Sequence, residues 1–99
     1  MFYIRTFLDK TRGTLFRVPK QLEHKNISGR RIASARKAHN PQITQDALSG
    51  RLARLGIHLD RAAIAKIETN RRSILDYELK ALAELLDVDV NWLLGGTKK

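Results

Sequence analysis

Between Asp60 and Thr69 the chain reads Asp-Arg-Ala-Ala-Ile-Ala-Lys-Ile-Glu-Thr, a short segment whose residue types suit the edges of base pairs. At helical spacing Ile64 and Ile67 fall on one side, and Arg61, Ala62, Ala65 and Lys66 fall on the other. Arg61 and Lys66 carry donors matched to the N7 and O6 acceptors of guanine, and Ala62 or Ala65 presents a methyl to the thymine methyl. That chemistry is recognition of a polyanion's interior, not bond-making. A catalytic alternative lacks parts: His24, His39 and His58 are scattered, no HExxH or GxxxxGK[ST] occurs, and no nucleophile stands beside a base. No enzyme activity, cofactor, metal or small-molecule ligand is expected.

The charge distribution points the same way. Nineteen Lys and Arg against ten Asp and Glu give a net of +9, which attracts polyanions. The excess is uneven: residues 1–26 and 27–72 are strongly basic, whereas 73–99 is net acidic. A protein with one face on phosphate and another turned away divides in this manner. Ninety-nine residues suffice for one hydrophobic core and not two. The absence of cysteine excludes disulfides, thiolate catalysis and cysteine zinc sites. No apolar run is long enough to span a bilayer, and Met1 to Lys25 lacks the apolar block of a signal peptide, so a cytoplasmic protein is expected.

The elements that must position the basic segment follow from periodicity. Phe2 to Leu8 and Thr14 to Val18 are rich in aromatic and β-branched residues, which predicts a β-hairpin with Gly13 in its loop. Such a ribbon is marginal alone and is expected to pack on the domain or on a second subunit. Pro19 stops it, and Gln21 to Asn26 reads as a polar linker. From Ile27 the period becomes helical. Ile27, Ile32 and Ala35, with Ser28 at the cap, predict a first helix ending before Asn40-Pro41. Thr44 caps a second carrying Leu48, Leu52 and Leu55 on one face until Gly56. Asp60 caps the third, Asp76 a fourth bearing Leu79, Leu82, Ala83 and Leu86, and Asp89 a short fifth through Leu94. The expected fold is all-α, a compact five-helix bundle over 27–96, preceded by an extension over 1–26 and followed by a basic tail over 97–99.

In order along the chain, Gly29-Arg30-Arg31-Ile32, Arg36, Thr44-Gln45-Asp46-Ala47-Leu48-Ser49, Ile64-Ala65-Lys66-Ile67-Glu68, Leu79 to Leu86 and Val90-Asn91-Trp92-Leu93-Leu94-Gly95 resemble the Cro and phage-repressor (XRE-type) helix-turn-helix family from Ile27 to Gly95. The resemblance implies a lambda-repressor-like bundle, a homodimer, and a third helix laid into the major groove of double-stranded DNA. It implies base reading by Arg61, Ala62 and Lys66, and phosphate contacts from Gln45 and from the Asn70-Arg71-Arg72 loop. It also implies a structural salt bridge between Arg36 and Glu68, and a core role for Trp92 with a dimer contact as the alternative.

The chain departs from that pattern between the second and third helices, where roughly five residues are extra against the usual short turn. Either the second helix runs longer or the turn is wider, and in both cases Arg51 and Arg54 are brought near the backbone as further phosphate contacts. Gly50 sits inside the second helix for close approach either to DNA or to a neighbouring helix. The functional expectation is a repressor-like, sequence-specific transcriptional regulator. The rival is a protein-interaction module on the same fold, such as an antitoxin or assembly factor.

Overall fold

Five amphipathic segments become five helices because each closes a stripe of apolar side chains over one shared interior. A computed structural model describes residues 6–9, 14–17 and 24–99. The helices are α1 (Gly29–Ala38), α2 (Gln45–Arg54), α3 (Arg61–Glu68), α4 (Asp76–Leu86) and α5 (Val90–Leu93). Ile32, Leu48, Leu52, Ile64, Ile67, Leu82 and Leu93 are almost wholly buried, joined by Ile43 and Leu59 from the connections. Truncating one of these leucines to alanine costs about 2–5 kcal/mol. α3 packs on both α1 and α2, while α4 closes the far side against α1, α2 and α5.

Ahead of the bundle, β1 (Thr6–Asp9) and β2 (Thr14–Arg17) pair antiparallel, with Phe7 opposite Phe16 and Leu8 opposite Leu15. The paired strands fall within the expected hairpin, while residues 2–5, Gly13, Val18, Pro19 and Gln21 lie outside the described residues. Among the described residues no helix packs against either strand. No helix among the described residues is long and apolar enough to cross a membrane.

Caps set the helix ends. Thr44 accepts from the Ala47 N–H at 3.0 Å, Asp60 from Ala63 at 2.7 Å and Asp89 from Asn91 at 2.7 Å, as their residue types require. Two cap expectations are corrected. Ser28 occupies the N-cap of α1, yet its side chain makes no cap bond; Asn26 Oδ1 accepts from the Ser28 and Gly29 N–H groups instead. Asp76 is the first helical residue of α4 rather than its cap, and Glu78 reaches back to the Leu75 N–H at 2.9 Å. Ile27 and Leu55, expected on buried faces, are about half exposed, because α1 starts after the first and α2 has ended before the second.

The C-termini of α2, α3, α4 and α5 share one device, a left-handed residue closed by paired backbone bonds, whereas α1 ends in extended backbone at His39. After α2, Gly56 (φ 81°) donates to Ala53 and Ile57 to Leu52. After α3 the left-handed residue is Asn70 (φ 63°), and after α4 it is Asp87 (φ 56°). The Gly56 closure decides the question left open by the sequence: α2 stops at Arg54 and the turn itself is wider, running from Leu55 to Asp60. Ile57 packs on the core, and the Ser49 hydroxyl donates to the Leu59 carbonyl at 2.6 Å, so the long turn is fastened rather than loose.

Candidate nucleic-acid interface

α3 turns Ile64 and Ile67 inward and presents Arg61, Ala62 and Lys66 to solvent, with Ala65 half-buried beside them. These are the residues that the sequence placed on one outward face. Asp60 holds the first turn of α3, and the Arg61 guanidinium lies 3.7 Å from Asp46 with both side chains more than two-thirds exposed. A pair so exposed is held by about 0.2–1 kcal/mol, so Arg61 exchanges Asp46 for another anion at little cost. Gln42, Thr44, Gln45, Asp46 and Arg61 line a shallow depression where the N-termini of α2 and α3 approach one another. The unsatisfied N–H groups of a helix's first turn favour anions at such a place.

The rear of α3 is locked. Arg36 donates through Nε and Nη2 to the two Glu68 oxygens at 2.7 and 3.0 Å, and through Nη1 to the Ile43 carbonyl at 3.0 Å. Both side chains are below one-tenth exposed. Gln45 adds a donor to Glu68 Oε1 at 2.9 Å, so the residue expected on phosphate is also part of the structural lock. The amide thereby fixes the start of α2 to the end of α3.

The loop after α3 divides its labour. Arg71 is exposed, its Nε donating to the Thr69 hydroxyl at 2.8 Å. Arg72 forks onto Glu78 at 3.1 and 3.4 Å and donates to the Ser73 carbonyl, neutralising a carboxylate that is only 5% exposed. Asn70 Nδ2 donates to the backbone and side-chain oxygens of Asn26, both at 3.0 Å. Asn26 in turn donates to the Ile67 and Arg72 carbonyls at 3.0 and 2.7 Å. Sequence reasoning missed this role of Asn26, treating it as linker; an Asn two to three residues ahead of a helix start was the available signal. Beside the clasp, a Cβ built on Gly29 would fall 2.0 Å from the Ile67 carbonyl oxygen, so α1 and α3 touch backbone to backbone there.

Along α2, Arg54 is exposed and Arg51 half-exposed. Gly50 is exposed with no atom near a built Cβ, which removes the neighbouring helix as a reason for its small size. Trp92 is half-buried against the core rather than enclosed by it. The Arg31 guanidinium lies 4.9 Å above its ring and donates to the Trp92 and Gly96 carbonyls. Among the described residues no three His, Cys, Asp or Glu side chains gather as a metal site would require.

A family model described as helix-turn-helix matches residues 42–93, from just before α2 to the end of α5. α1 lies ahead of the matched segment and is held to it by packing and by the Arg36–Glu68 pair. No curated protein and no solved structure matches the chain.

Proposed function

This chain belongs to the DNA-binding helix-turn-helix family of Cro/C1 (XRE) type, and from that premise we propose that it is a sequence-specific regulator of transcription acting as a repressor. In this reading α3 enters the major groove of double-stranded DNA with Arg61, Ala62, Ala65 and Lys66 toward the bases. The observation that carries it is the two-sided character of α3: an inward face fixed by Ile64, Ile67 and the buried Glu68 pair, and an outward face of small and cationic side chains.

Phosphate contacts come from the first turn of α2 at Gln45, from Arg51 and Arg54, and from Arg71. Asn70 and Arg72 serve the same contact indirectly, by holding the loop that carries Arg71. A single domain of this size covers little DNA, so the protein works as a homodimer on half-sites about one helical turn apart.

Selection of binding sites from a random duplex pool tests this reading. An enriched inverted repeat, bound with an affinity that falls steeply with salt, is the expected result. Binding without enrichment would reduce the protein to a nonspecific DNA binder. The exposed Leu75, just ahead of acidic α4, and Tyr77 in its first turn favour the protein-interaction module as the second reading, which gains if no duplex is bound.

A further inference from the structure

Of the three carboxylates between Gln45 and Arg72, two are committed to structure: Asp60 caps α3 and Glu68 answers Arg36. The third, Asp46, faces Arg61 at 3.7 Å. Its place is fixed on both sides. Thr44 caps α2 ahead of it, and Gln45 ties the start of α2 to Glu68 at the end of α3. Arg61 is equally fixed at its backbone, as the first residue of a helix held by its cap and by Ile64 and Ile67. Two exposed side chains of opposite sign therefore stand together where the N-termini of α2 and α3 meet.

A carboxylate beside a phosphate-binding surface costs affinity through like-charge repulsion. Asp46 also suits the positive end of its own helix, an effect that does not depend on Arg61. The pair adds a second consequence. A lone guanidinium is drawn to phosphate more strongly than to a neutral base edge, because the hydrogen bond is then charged on both sides. With Asp46 beside it the guanidinium is partly neutralised, and a phosphate approaching Arg61 meets the carboxylate as well. Guanine N7 and O6 carry no net charge and are not repelled. The guanidinium has five N–H donors and the guanine edge takes two, so Arg61 can keep Asp46 while it reads a base. Weakness of the free pair is no obstacle, since discrimination depends only on the difference between the two kinds of acceptor.

We infer that Asp46 is a positioning residue for Arg61, biasing its guanidinium away from phosphate and toward a guanine edge. This rests on the DNA-binding reading above and adds to it a residue that lowers affinity for DNA in general while raising discrimination at one base pair.

The test uses the full chain with Asp46→Asn, Asp46→Glu, Arg61→Ala, and Asp46→Asn combined with Arg61→Ala. The probes are the selected site, its single-base variants, and a scrambled duplex of the same length and composition. Asp46→Asn keeps the shape and removes the charge. It should bind the scrambled duplex more tightly, and its preference at the base pair that Arg61→Ala identifies should fall by about 2- to 5-fold, the range open to an exposed pair. Asp46→Glu should retain that preference. With Arg61 already replaced, Asp46→Asn should leave every base preference where it was, because the residue acts through Arg61. A role confined to the helix end would move the unfolding midpoint on Asp46→Asn and leave base preferences unchanged. That outcome would overturn the proposal while leaving the α3 reading intact. So would an equal loss of preference with and without Arg61. Failure of the unaltered protein to bind any of the duplexes would overturn both readings.

Discussion

Asn70 Nδ2 lies 3.0 Å from both the carbonyl and the side-chain oxygen of Asn26, so a residue ahead of the first helix clasps the residue that ends the third. The clasp joins chain segments 44 residues apart. It sets the direction in which α3 ends, and through the Arg72 carbonyl it also sets the start of the following loop.

Asn26→Ala removes the acceptor for the Ser28 and Gly29 N–H groups together with two donated bonds. It should cost about 2–3 kcal/mol, a lost cap plus two carbonyls left without their donor. Asn26→Asp keeps the acceptor and loses only the donors, so it should cost less. Urea denaturation of the three proteins checks the order; an Asp variant less stable than the Ala variant would show that the donors, not the cap, dominate.

Removing one member of the buried ion pair leaves the other charged and dry. Glu68→Ala should therefore destabilise by about 3–5 kcal/mol. The combined change Arg36→Met with Glu68→Leu should recover most of that loss, since apolar residues of similar volume replace a desolvated pair. Thermal unfolding of the single and double variants decides the point.

Two arginines adjacent in sequence should behave in opposite ways. Arg72→Ala uncovers the buried Glu78 carboxylate and should lower the unfolding midpoint. Arg71→Ala should leave the midpoint unchanged, weaken binding to every duplex and reduce the salt slope by about 1. Arg61→Ala should differ from both, costing about 1–3 kcal/mol at particular base pairs only. Affinity measurements on single-base variants of the selected site separate the three.

Left-handed residues after α3 and α4 offer a contrast. Asp87→Gly should stabilise by about 1 kcal/mol, because glycine adopts φ 56° without the Cβ clash. Asn70→Gly relieves the same clash and loses the clasp to Asn26, so it should destabilise overall. Chemical denaturation of each variant gives the two signs directly.

Gly50→Ala should raise stability by about 1 kcal/mol, since the residue is helical, exposed and free of steric conflict. A fall in stability on denaturant titration would mean that the helix is not regular at that point.

Much of this architecture was legible in the chain itself. Thr44, Asp60 and Asp89 act as caps, Ile64 and Ile67 face inward while Arg61 and Lys66 face out, and the charge excess ends where α4 begins, because capping and helical periodicity depend on neighbours within four residues. Arg36 with Glu68 was legible through family resemblance alone, since nothing local connects residues 32 apart. Tertiary structure decided the rest. The Asn26 clasp, the Arg72–Glu78 fork, the Gln45 donor to Glu68 and the fastening of the Leu55–Asp60 turn by Ser49 join groups whose sequence neighbours carry no trace of one another. A polar side chain in a sequence has many potential partners, and only the packing of α1, α2 and α4 around α3 determines which of them stands within 3 Å. For that reason the outward face of α3 was readable from the sequence, and the machinery that holds α3 in place was not.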